Sequence, residues 1–413
     1  MSAGNLRINA GRLQQRLEAL AQIGAIEGGG CCRLALTDAD RCGRDQVLAW
    51  MRELGLQVQV DAIGNVFGLR AGRRDLPPVM SGSHIDTVRT GGRYDGNLGV
   101  LGALEVVQTL NDAGVQTARP LVVAFFTNEE GARFAPDMLG SLVYAGGLPL
   151  AQALEVRAID GARLGDELVR IGYAGAAPVG LHQPHAFVEL HVEQGPVLDA
   201  EGITIGAVED LQGISWQELS ITGQSNHAGT TPMRLRHDAG YAAAAVSHFV
   251  RGLTRDMGAG QVATVGKIDL HPNLINVIAA RATLTVDLRN TDETLLQQAE
   301  ARLAGFLETL ARDEGVSITS RRLARFEPVC FDAAVVQQIE RVTQRLGYPQ
   351  RRMTSGAGHD AQMLARVCPS AMIFVPSTKG ISHNPAEHTA AADLAAGGNV
   401  LLHTLLELAQ QEN

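Results

Sequence analysis

Histidine and aspartate side chains follow the short apolar run at residues 78–80 at a spacing that suits metal binding. His84 and Asp86 fall where a buried strand would end, and open α/β sheets bind their ligands at such strand ends. A neutral imidazole at His84 can bind a divalent ion, and Asp86 can orient that ring, as metal-bound histidines usually require. Asp95 follows in a glycine-rich turn that can bend its carboxylate back towards His84. Taken alone, the pattern more often describes a strand, a polar turn and the start of a helix.

Three further strand ends or loops carry side chains of the kinds that bind metals. Glu129 and Glu130 follow a second apolar run, His191 lies in a third, and His383 comes several residues after a fourth. Each of these residues alone is more often structural, but a doubly wound sheet would bring the strand ends to one edge. Three imidazoles with carboxylates suit two divalent ions such as Zn²⁺ or Mn²⁺, about 3.5–4 Å apart with an aspartate between them. The combination predicts a two-metal hydrolase.

The adjacent pair Glu129 and Glu130 adds a proton acceptor to this set. Adjacent residues at a strand end point in different directions, so one carboxylate can bind a metal while the other faces the water between the ions. A free carboxylate in that position is what a general base needs. Two adjacent glutamates are more often solvated surface residues, and it is their place after an apolar strand that favours the catalytic interpretation.

The elements that must position these residues alternate between strands and helices. Apolar runs at 78–80, 121–126, 186–192 and 371–375 predict buried strands, and a helix over 98–111 joins the first two in a βαβ unit. The pattern changes from about residue 210, where the order is βαββαβ, the ferredoxin-like arrangement. Its predicted elements are strand 214–222, helix 237–257, strands 261–270 and 276–290, helix 291–313 and strand 316–323.

The sequence thus predicts an α/β catalytic domain with a doubly wound, mostly parallel sheet, formed by residues 1–209 and 326–413. An inserted α+β domain at residues 210–325 would act as a lid that closes over the metals. Before this insertion, the pattern from Leu150 to Ile171 indicates helical structure with glycine interruptions, and an amphipathic helix is predicted from about Arg7 to Ala25.

Composition excludes several classes of protein. The 413 residues carry a net charge of −9 without a basic block, which argues against nucleic-acid binding. We find neither a signal peptide nor an apolar run approaching the ~18 residues of a spanning helix. The five cysteines include no CxxC motif, so reduced thiols in a cytoplasm are the simplest account.

Motifs along nearly the whole chain resemble the M20 metallopeptidase clan. The resemblance is to its amidase branch, the N-carbamoyl-L-amino acid hydrolases, β-ureidopropionases and allantoate amidohydrolases. That branch carries histidine at the place of His191, where many peptidases of the clan carry a carboxylate, so a dipeptidase is the less favoured alternative. The matching segments, in family order, are 82–87, 91–96, 127–134, 189–196, 223–232, 355–361 and 381–385.

The resemblance implies two divalent metal ions, Zn²⁺, Mn²⁺ or Co²⁺, bridged by Asp95. It implies that Glu129 is the general base and that Asp86 lies behind the ligands. The implied ligand sets are His84, Asp95 and His191 for one ion and Asp95, Glu130 and His383 for the other.

The same resemblance implies a small ureido-carboxylate substrate. His227 would polarise the ureido carbonyl and stabilise its oxyanion. Arg289 would bind the carboxylate through the planar fork of N–H groups on its guanidinium, and backbone N–H groups at Gly356–Gly358 would bind an anion. Gln194 and Asn276 complete the implied substrate contacts.

Several alternatives stay open at the level of sequence. Allantoate and N-carbamoyl-β-alanine carry the same groups as N-carbamoyl-L-amino acids, and a non-catalytic binding protein of the same fold is the rival from another class. His359 and Asp360 have no assigned role. The exposed-edge α+β layout of the insertion and the family resemblance predict a homodimer built through the inserted domain, and charge and hydropathy predict neither a membrane nor a nucleic-acid partner.

Overall fold

The computed structural model describes residues 3–258 and 260–412, and its internal contacts divide the chain into two compact units. The first, here called the α/β unit, comprises Met1–Glu209 and Cys330–Asn413, and the second, the inserted unit, is Asp210–Val329. The division itself does not test the predicted lid and dimerisation roles of the insertion, which stay predictions.

The strands are β1 (Gln57–Val60), β2 (Val66–Arg70), β3 (Val79–His84), β4 (Leu121–Phe126), β5 (Ala186–Val192), β6 (Ile205–Leu211), β7 (Gly213–Thr222), β8 (Val262–His271), β9 (Arg281–Asn290), β10 (Ser317–Phe326), β11 (Val329–Cys330), β12 (Gln350–Ser355) and β13 (Ser370–Val375).

The α-helices are α1 (Ala10–Ala21), α2 (Asp38–Glu53), α3 (Asn97–Asp112), α4 (Leu139–Tyr144), α5 (Leu150–Leu154), α6 (Leu164–Ile171), α7 (Val197–Glu201), α8 (Ala239–Met257), α9 (Glu293–Glu314), α10 (Ala333–Leu346), α11 (Asp360–Leu364) and α12 (Ala391–Gln410). Short 3₁₀ helices lie at Ala3–Asn5, Met233–Leu235 and Thr378–Gly380.

A mostly parallel sheet forms the centre of the α/β unit. Its strand order is β1-β2-β4-β3-β5-β13-β6-β11, and β12 pairs with β6. The four central strands β4, β3, β5 and β13 run parallel, and every residue in them is buried. Strands that are buried on both faces are mainly apolar, as β4 and β13 are, whereas β3 and β5 also carry buried polar residues. The predicted fold class is confirmed, and the parallel strands end at one common edge.

An antiparallel sheet with the order β10-β7-β9-β8 forms the inserted unit. Helices α8 and α9 pack against it around a core of alternate strand residues, among them Leu219, Leu284, Val286 and Leu288. The strict alternation along β9 reflects this arrangement, because one face of the strand is buried and the other is half-exposed. The predicted βαββαβ order is confirmed.

Two of the predicted helices differ from the structure. The stretch from Leu150 to Ile171, predicted to be helical with glycine interruptions, is helical only in α5 and α6, because residues 155–163 form a connection in which Gly161 has φ +86° and Asp160 accepts from Ala162 N–H. The first helix is shorter than predicted because Asn9 caps its start by accepting from Arg12 N–H.

Strand β9 begins five residues later than predicted, at Arg281, after a loop that contains Pro272. In the described part of the chain, no helix combines the length and the apolar character that a bilayer span needs.

Candidate metal centre

The ends of three parallel strands and one loop bring the predicted metal ligands together. His84 is the last residue of β3, His191 is the penultimate residue of β5, and Glu130 lies in the turn after β4. Asp95 comes from the turn that precedes α3, whose N-cap Gly96 adopts φ 64°. His383 lies in the loop between β13 and α12.

Asp95 lies between two groups of donor atoms. Its Oδ1 is 3.2 Å from His191 Nε2 and 3.6 Å from His84 Nε2. Its Oδ2 is 3.4 Å from His383 Nε2, which in turn is 3.3 Å from Glu130 Oε2. In each group, the ligand atoms of all three residues lie within 4.8 Å of one another. The two groups coincide with the ligand sets that the motifs imply, and their occupation by metal remains a prediction.

Backbone carbonyls orient the two buried imidazoles. His84 Nδ1 is 2.9 Å from the carbonyl of Asp86, and His191 Nδ1 is 2.8 Å from the carbonyl of Val192. A proton on each Nδ1 leaves Nε2 as an acceptor, consistent with the Gly96 N–H that donates to His191 Nε2 at 3.1 Å. Burial lowers the pKa of His84 to about 4, which keeps its imidazole neutral at physiological pH. In its neutral form, each ring therefore presents the tautomer that binds a metal through Nε2.

Asp86 acts through different atoms from those that the sequence suggested. Its carboxylate is 3.9 Å from His84 Nδ1, beyond hydrogen-bond distance, and it is the Asp86 carbonyl that orients the ring. The carboxylate instead accepts from the backbone N–H groups of Glu129 at 3.2 Å and Glu130 at 3.3 Å. Asp86 therefore holds the turn that carries both glutamates.

The two adjacent glutamates have different surroundings. Glu130 Oε1 accepts from Val88 N–H at 3.2 Å, and its Oε2 faces His383. Glu129 is 7% exposed, and its Oε2 lies 3.4 Å from His84 Nε2. Burial, together with the charges of Asp360 and Glu130, raises the pKa of Glu129 well above its usual range. A carboxylate with a raised pKa is a stronger base, which is what proton abstraction at neutral pH requires.

The charges of the site favour cations as ligands. In the described part of the chain, no lysine or arginine nitrogen lies within 4.0 Å of the carboxylates of Asp95, Glu129 or Glu130. Their ion-pair partners are the histidines of the two groups. Buried carboxylates this close together repel one another unless a cation or protons neutralise them. The donor set of imidazole nitrogens and carboxylate oxygens fits divalent transition metals.

Buried polar residues behind the ligands were not predicted from the sequence. Glu387 accepts from the N–H groups of Tyr94 at 2.8 Å and Asp95 at 3.4 Å, and so holds the turn that presents Asp95. Glu189 accepts from Ser83 Oγ at 2.6 Å and from Ala361 N–H at 2.8 Å. Glu387 could have been suspected because it follows His383 by four residues, whereas Glu189 looks like an ordinary polar residue within an apolar strand.

His359 and Asp360, whose roles the sequence left open, belong to this buried layer. The His359 ring centroid is 4.5 Å from that of His191, and its Nε2 lies 3.0 Å from Ser355 Oγ. Asp360 Oδ1 accepts from Ser141 Oγ at 2.6 Å. His359 therefore packs against the ring of His191, and Asp360 connects the start of α11 to α4.

Gln194 connects the metal ligands to a cavity. Its backbone is left-handed (φ 59°), and its Nε2 donates to Asp95 Oδ2 at 2.9 Å, while its buried Oε1 has no hydrogen-bond partner among the described residues. The cavity, of about 390 Å³, is lined by Gln194, Met353 and Gly356, among others. A Cβ added to Gly356 would have open space around it, whereas a Cβ on Gly358 would lie 2.9 Å from Met138 Cε. Of these two glycines, Gly356 therefore leaves more room for a ligand.

Two of the predicted substrate residues of the inserted unit lie on adjoining loops. His227 Nδ1 accepts from the N–H groups of Gly229 at 3.0 Å and Thr230 at 3.2 Å, so the ring proton is on Nε2. The carbonyl of Asn276 accepts from Ala228 N–H at 3.0 Å. His227 and Asn276 are both exposed.

Arg289, the third of these residues, lies on the half-exposed face of β9. Its Nε and Nη2 pair with the Asp287 carboxylate at 2.9–3.1 Å, and its Cζ is 5.9 Å from the centre of the Trp216 ring. The guanidinium is therefore held in one orientation by its own strand.

Comparison with known proteins places this geometry in a family. Residues 80–407 match the family model of peptidase family M20/M25/M40. The N-carbamoyl-L-amino-acid amidohydrolase of Rhizobium meliloti is 42% identical over 407 residues, which cover 98% of each chain. The allantoate amidohydrolase of Escherichia coli is 36% identical, over 97% of this chain and 98% of that protein.

A solved structure extends the similarity to the fold. The crystal structure of an amidase of the hydantoinase/carbamoylase family from Burkholderia multivorans matches with a TM-score of 0.95 and 47% identity, over 98% of this chain and 99% of that one. Family model, relatives and structure agree with the motifs. The chain belongs to peptidase family M20/M25/M40, in its hydantoinase/carbamoylase amidase branch.

Proposed function

We propose that this protein is a metal-dependent amidohydrolase that cleaves the carbamoyl C–N bond of N-carbamoyl-L-amino acids, releasing the amino acid, CO₂ and ammonia. The observation that carries the proposal is Asp95, whose two oxygens face two separate groups of ligand atoms at the strand ends. The similarity to N-carbamoyl-L-amino-acid amidohydrolases over nearly the full length of the chain supports the reaction type.

Two divalent ions, Zn²⁺, Mn²⁺ or Co²⁺, would occupy the two groups. One would be held by His84, Asp95 and His191, and the other by Asp95, Glu130 and His383. When bound, the ions would supply Lewis acidity to the substrate carbonyl and to water, and would neutralise the buried carboxylates.

Glu129 would take the proton from the attacking water and later give it to the departing nitrogen. Its buried carboxylate beside His84 supports this role, and Asp86 would keep it in place through the N–H groups of the glutamate turn. Proton transfer by a positioned group of this kind typically contributes about 10²–10⁴-fold to the rate.

Polar groups in both units would position the substrate. The unpartnered Gln194 Oε1 would accept from a carbamoyl N–H, and the open space beside Gly356 supports contact with an anion in the adjacent cavity. In the inserted unit, His227 would donate from Nε2 to the developing oxyanion, and Arg289 would bind the carboxylate. Asn276, whose loop adjoins that of His227, would donate from its side-chain amide.

We further infer that the inserted unit is the lid and the dimerisation domain, and that the protein is cytoplasmic. The five cysteines are all free, which suits a reducing compartment. The outer strand β8 of the inserted sheet exposes Val262, Ile268 and Leu270, which supports pairing with a second copy of the chain.

Allantoate hydrolysis is the second candidate function. The similarity to an allantoate amidohydrolase favours it, and allantoate carries the same ureido and carboxylate groups that the site would bind. A panel of N-carbamoyl-L-amino acids, N-carbamoyl-β-alanine and allantoate, each with Mn²⁺, Co²⁺ or Zn²⁺, distinguishes the two.

We expect the highest kcat/KM on an N-carbamoyl-L-amino acid. Preference for allantoate would move the assignment to the second candidate. No hydrolysis of any of the compounds would contradict the proposed reaction.

Removal of metal provides a further test. Dialysis against a chelator should abolish hydrolysis, and added Mn²⁺, Co²⁺ or Zn²⁺ should restore it, because the site's chemistry depends on the ions. Metal analysis should find about two ions per chain. Full activity in protein shown to be metal-free would contradict the proposal.

A further inference from the structure

Arg33 is a buried cation to which the proposed reaction gives no role. Its side chain lies in the segment between α1 and α2 and has 0% exposure. In the described part of the chain no carboxylate oxygen lies within 4.0 Å of its guanidinium, which donates to neutral acceptors instead. Buried arginines are usually paired with an acid because an isolated charge is costly to desolvate. The burial of an arginine without an acidic partner therefore needs an explanation, which the acceptors of its hydrogen bonds supply.

One side of Arg33 holds the main chain next to His84. Its Nε donates to the carbonyl of Ile85 at 2.7 Å, and Ile85 stands between His84 and Asp86. Its backbone N–H donates to Thr87 Oγ1 at 2.7 Å, and its carbonyl accepts from Thr87 N–H at 3.0 Å. Main chain and side chain of Arg33 thus fix the same short segment at the end of β3.

Another nitrogen of the guanidinium reaches the turn that presents Asp95. Nη2 donates to Asn97 Oδ1 at 2.8 Å, and Asn97 is the first residue of α3, two residues after Asp95. The Asn97 amide donates in turn to the carbonyl of Arg93 at 3.3 Å. Because the guanidinium is planar and its N–H directions are fixed, these bonds set the separation between the two segments.

The rest of the guanidinium is anchored on the scaffold. Nη1 donates to the carbonyls of Leu20 at 3.0 Å and Ile23 at 2.8 Å, at the C-terminal end of α1, where a cation is favoured. A Cβ on Gly43 of α2 would lie 2.7 Å from Arg33 Cδ, so α2 leaves space for this side chain. Because the Arg33 side chain is held by α1 and packs against α2, it can keep the end of β3 and the Asp95 turn at a constant separation.

We infer that Arg33 is a positioning residue for the proposed metal centre, holding the segment behind His84 at a fixed distance from the turn that carries Asp95. The inference rests on the proposed function, which assigns both residues to the same ion. Loss of the residues that orient metal ligands typically costs about 10–100-fold in metal affinity. A purely structural role, such as capping α1, would lower stability without a specific effect on metal binding.

The test measures Mn²⁺ binding to metal-stripped, full-length protein by competition with a chelating dye, together with Tm in the absence of metal. Arg33→Met should bind Mn²⁺ about 10–100-fold more weakly than the wild type. Arg33→Lys should recover only part of this loss, because an ammonium keeps the charge but not the fork. Val342→Ala is the control, since Val342 is fully buried on α10 and α10 carries no proposed ligand. It should lower Tm and leave the affinity within about threefold, less than the tenfold lower limit expected for Arg33→Met.

Each other outcome counts against the inference. Folded Arg33→Met with wild-type affinity would overturn it, and so would Arg33→Lys with full affinity, because the fork would then be unnecessary. Affinity that falls in Val342→Ala as far as in the Arg33 variants would show that binding merely follows stability. If Arg33→Met does not fold, Gly43→Ala displaces the same side chain, and unchanged Mn²⁺ affinity there would overturn the inference. A wild type that binds neither Mn²⁺ nor Zn²⁺ would instead remove the proposed metal centre itself.

Discussion

The structure gives Glu129 and Glu130 different partners, although they are adjacent and chemically identical. Glu130 accepts from Val88 N–H and faces His383, whereas Glu129 lies beside His84. Glu129→Gln should lower kcat by about 10²–10⁴-fold and retain the metal, since the base is lost and the proposed ligands remain. Glu130→Gln should lose one metal. Kinetics and metal analysis of both variants check this, and the reverse metal contents would show that the roles are exchanged.

Arg289 is proposed to select substrates by their carboxylate, and its geometry makes the hypothesis specific. Asp287 holds the guanidinium through Nε and Nη2, so the side chain is oriented before any substrate arrives. Loss of one partner of a hydrogen-bonded charge pair costs about 2–5 kcal/mol, and Arg289→Ala should therefore lower kcat/KM by roughly 30-fold or more. Arg289→Lys should recover little, because it lacks the fork.

The control for this prediction is Arg281→Ala, at the exposed opposite end of the same strand, which should resemble the wild type. The decisive measurement compares an N-carbamoyl amino acid with its carboxamide. Equal loss of activity on the acid and the amide in Arg289→Ala would show that Arg289 does not recognise the carboxylate.

At the scale of elements, the start of α3 lies close against His84 because its N-cap residue is a glycine. Gly96 at the N-cap has φ 64°, and a Cβ there would clash with the His84 ring. Gly114, just beyond the end of the same helix, also has φ 64°, but a Cβ there would have open space around it. Alanine would be forced to a positive φ at both positions, but only at Gly96 would its Cβ meet the His84 ring, so Gly114→Ala is the control for the loss of a positive-φ glycine in this helix.

Gly96→Ala should lose Mn²⁺ affinity as well as stability, whereas Gly114→Ala should lose stability alone. Urea unfolding of the metal-free proteins measures the stability, and dye competition measures the affinity. Equal Mn²⁺ affinity in the two variants would mean that the helix start does not position His84.

The elements that could be predicted from the sequence are those with a strong apolar pattern. Strand β4 is an uninterrupted apolar run, β13 is one from Ala371, β5 is apolar except for Glu189 and His191, and β3 begins with Val79 and Met80. Parallel pairing then brings the polar residues at the ends of these strands to one edge. Strand β12 was missed because its sequence, with two adjacent arginines and one buried methionine, has no such pattern. The glycines between residues 150 and 171 indicated an interrupted helix, but the extent of the break between α5 and α6 depends on local turn bonds at Asp160 and Gly161.

For the metal centre, the sequence predicted which residues come together, but not the atoms through which each of them acts. Sequence spacing indicated that Asp86 lies behind His84, but whether its carbonyl or its carboxylate orients the ring depends on the path of the turn after β4. Buried support from Arg33, Glu189 and Glu387 was not predicted either. Their partners are backbone groups and neutral side chains far away in sequence, which no local pattern reveals.

At the scale of the whole molecule, the inserted unit ends in an outer strand that leaves apolar residues exposed. Ile268 and Leu270 on β8 are 45% and 37% exposed, and Ile275 in the loop that follows is fully exposed. An unpaired strand edge with apolar side chains is a template for another strand, and two-fold pairing of identical edges gives a closed dimer. The opposite outer strand, β10, carries Leu323 at 42% exposure and serves as the comparison.

We therefore predict a homodimer that forms through β8. The wild type should sediment as a dimer in analytical ultracentrifugation at micromolar concentration. The double variant Ile268→Lys/Leu270→Lys should sediment as a monomer, because four buried ammonium groups would meet across the two-fold axis, while Leu323→Lys should remain a dimer. Circular dichroism should match in all three, since the substituted residues are exposed in the single chain. A monomeric wild type would contradict dimerisation, and a monomer only in Leu323→Lys would move the interface to β10.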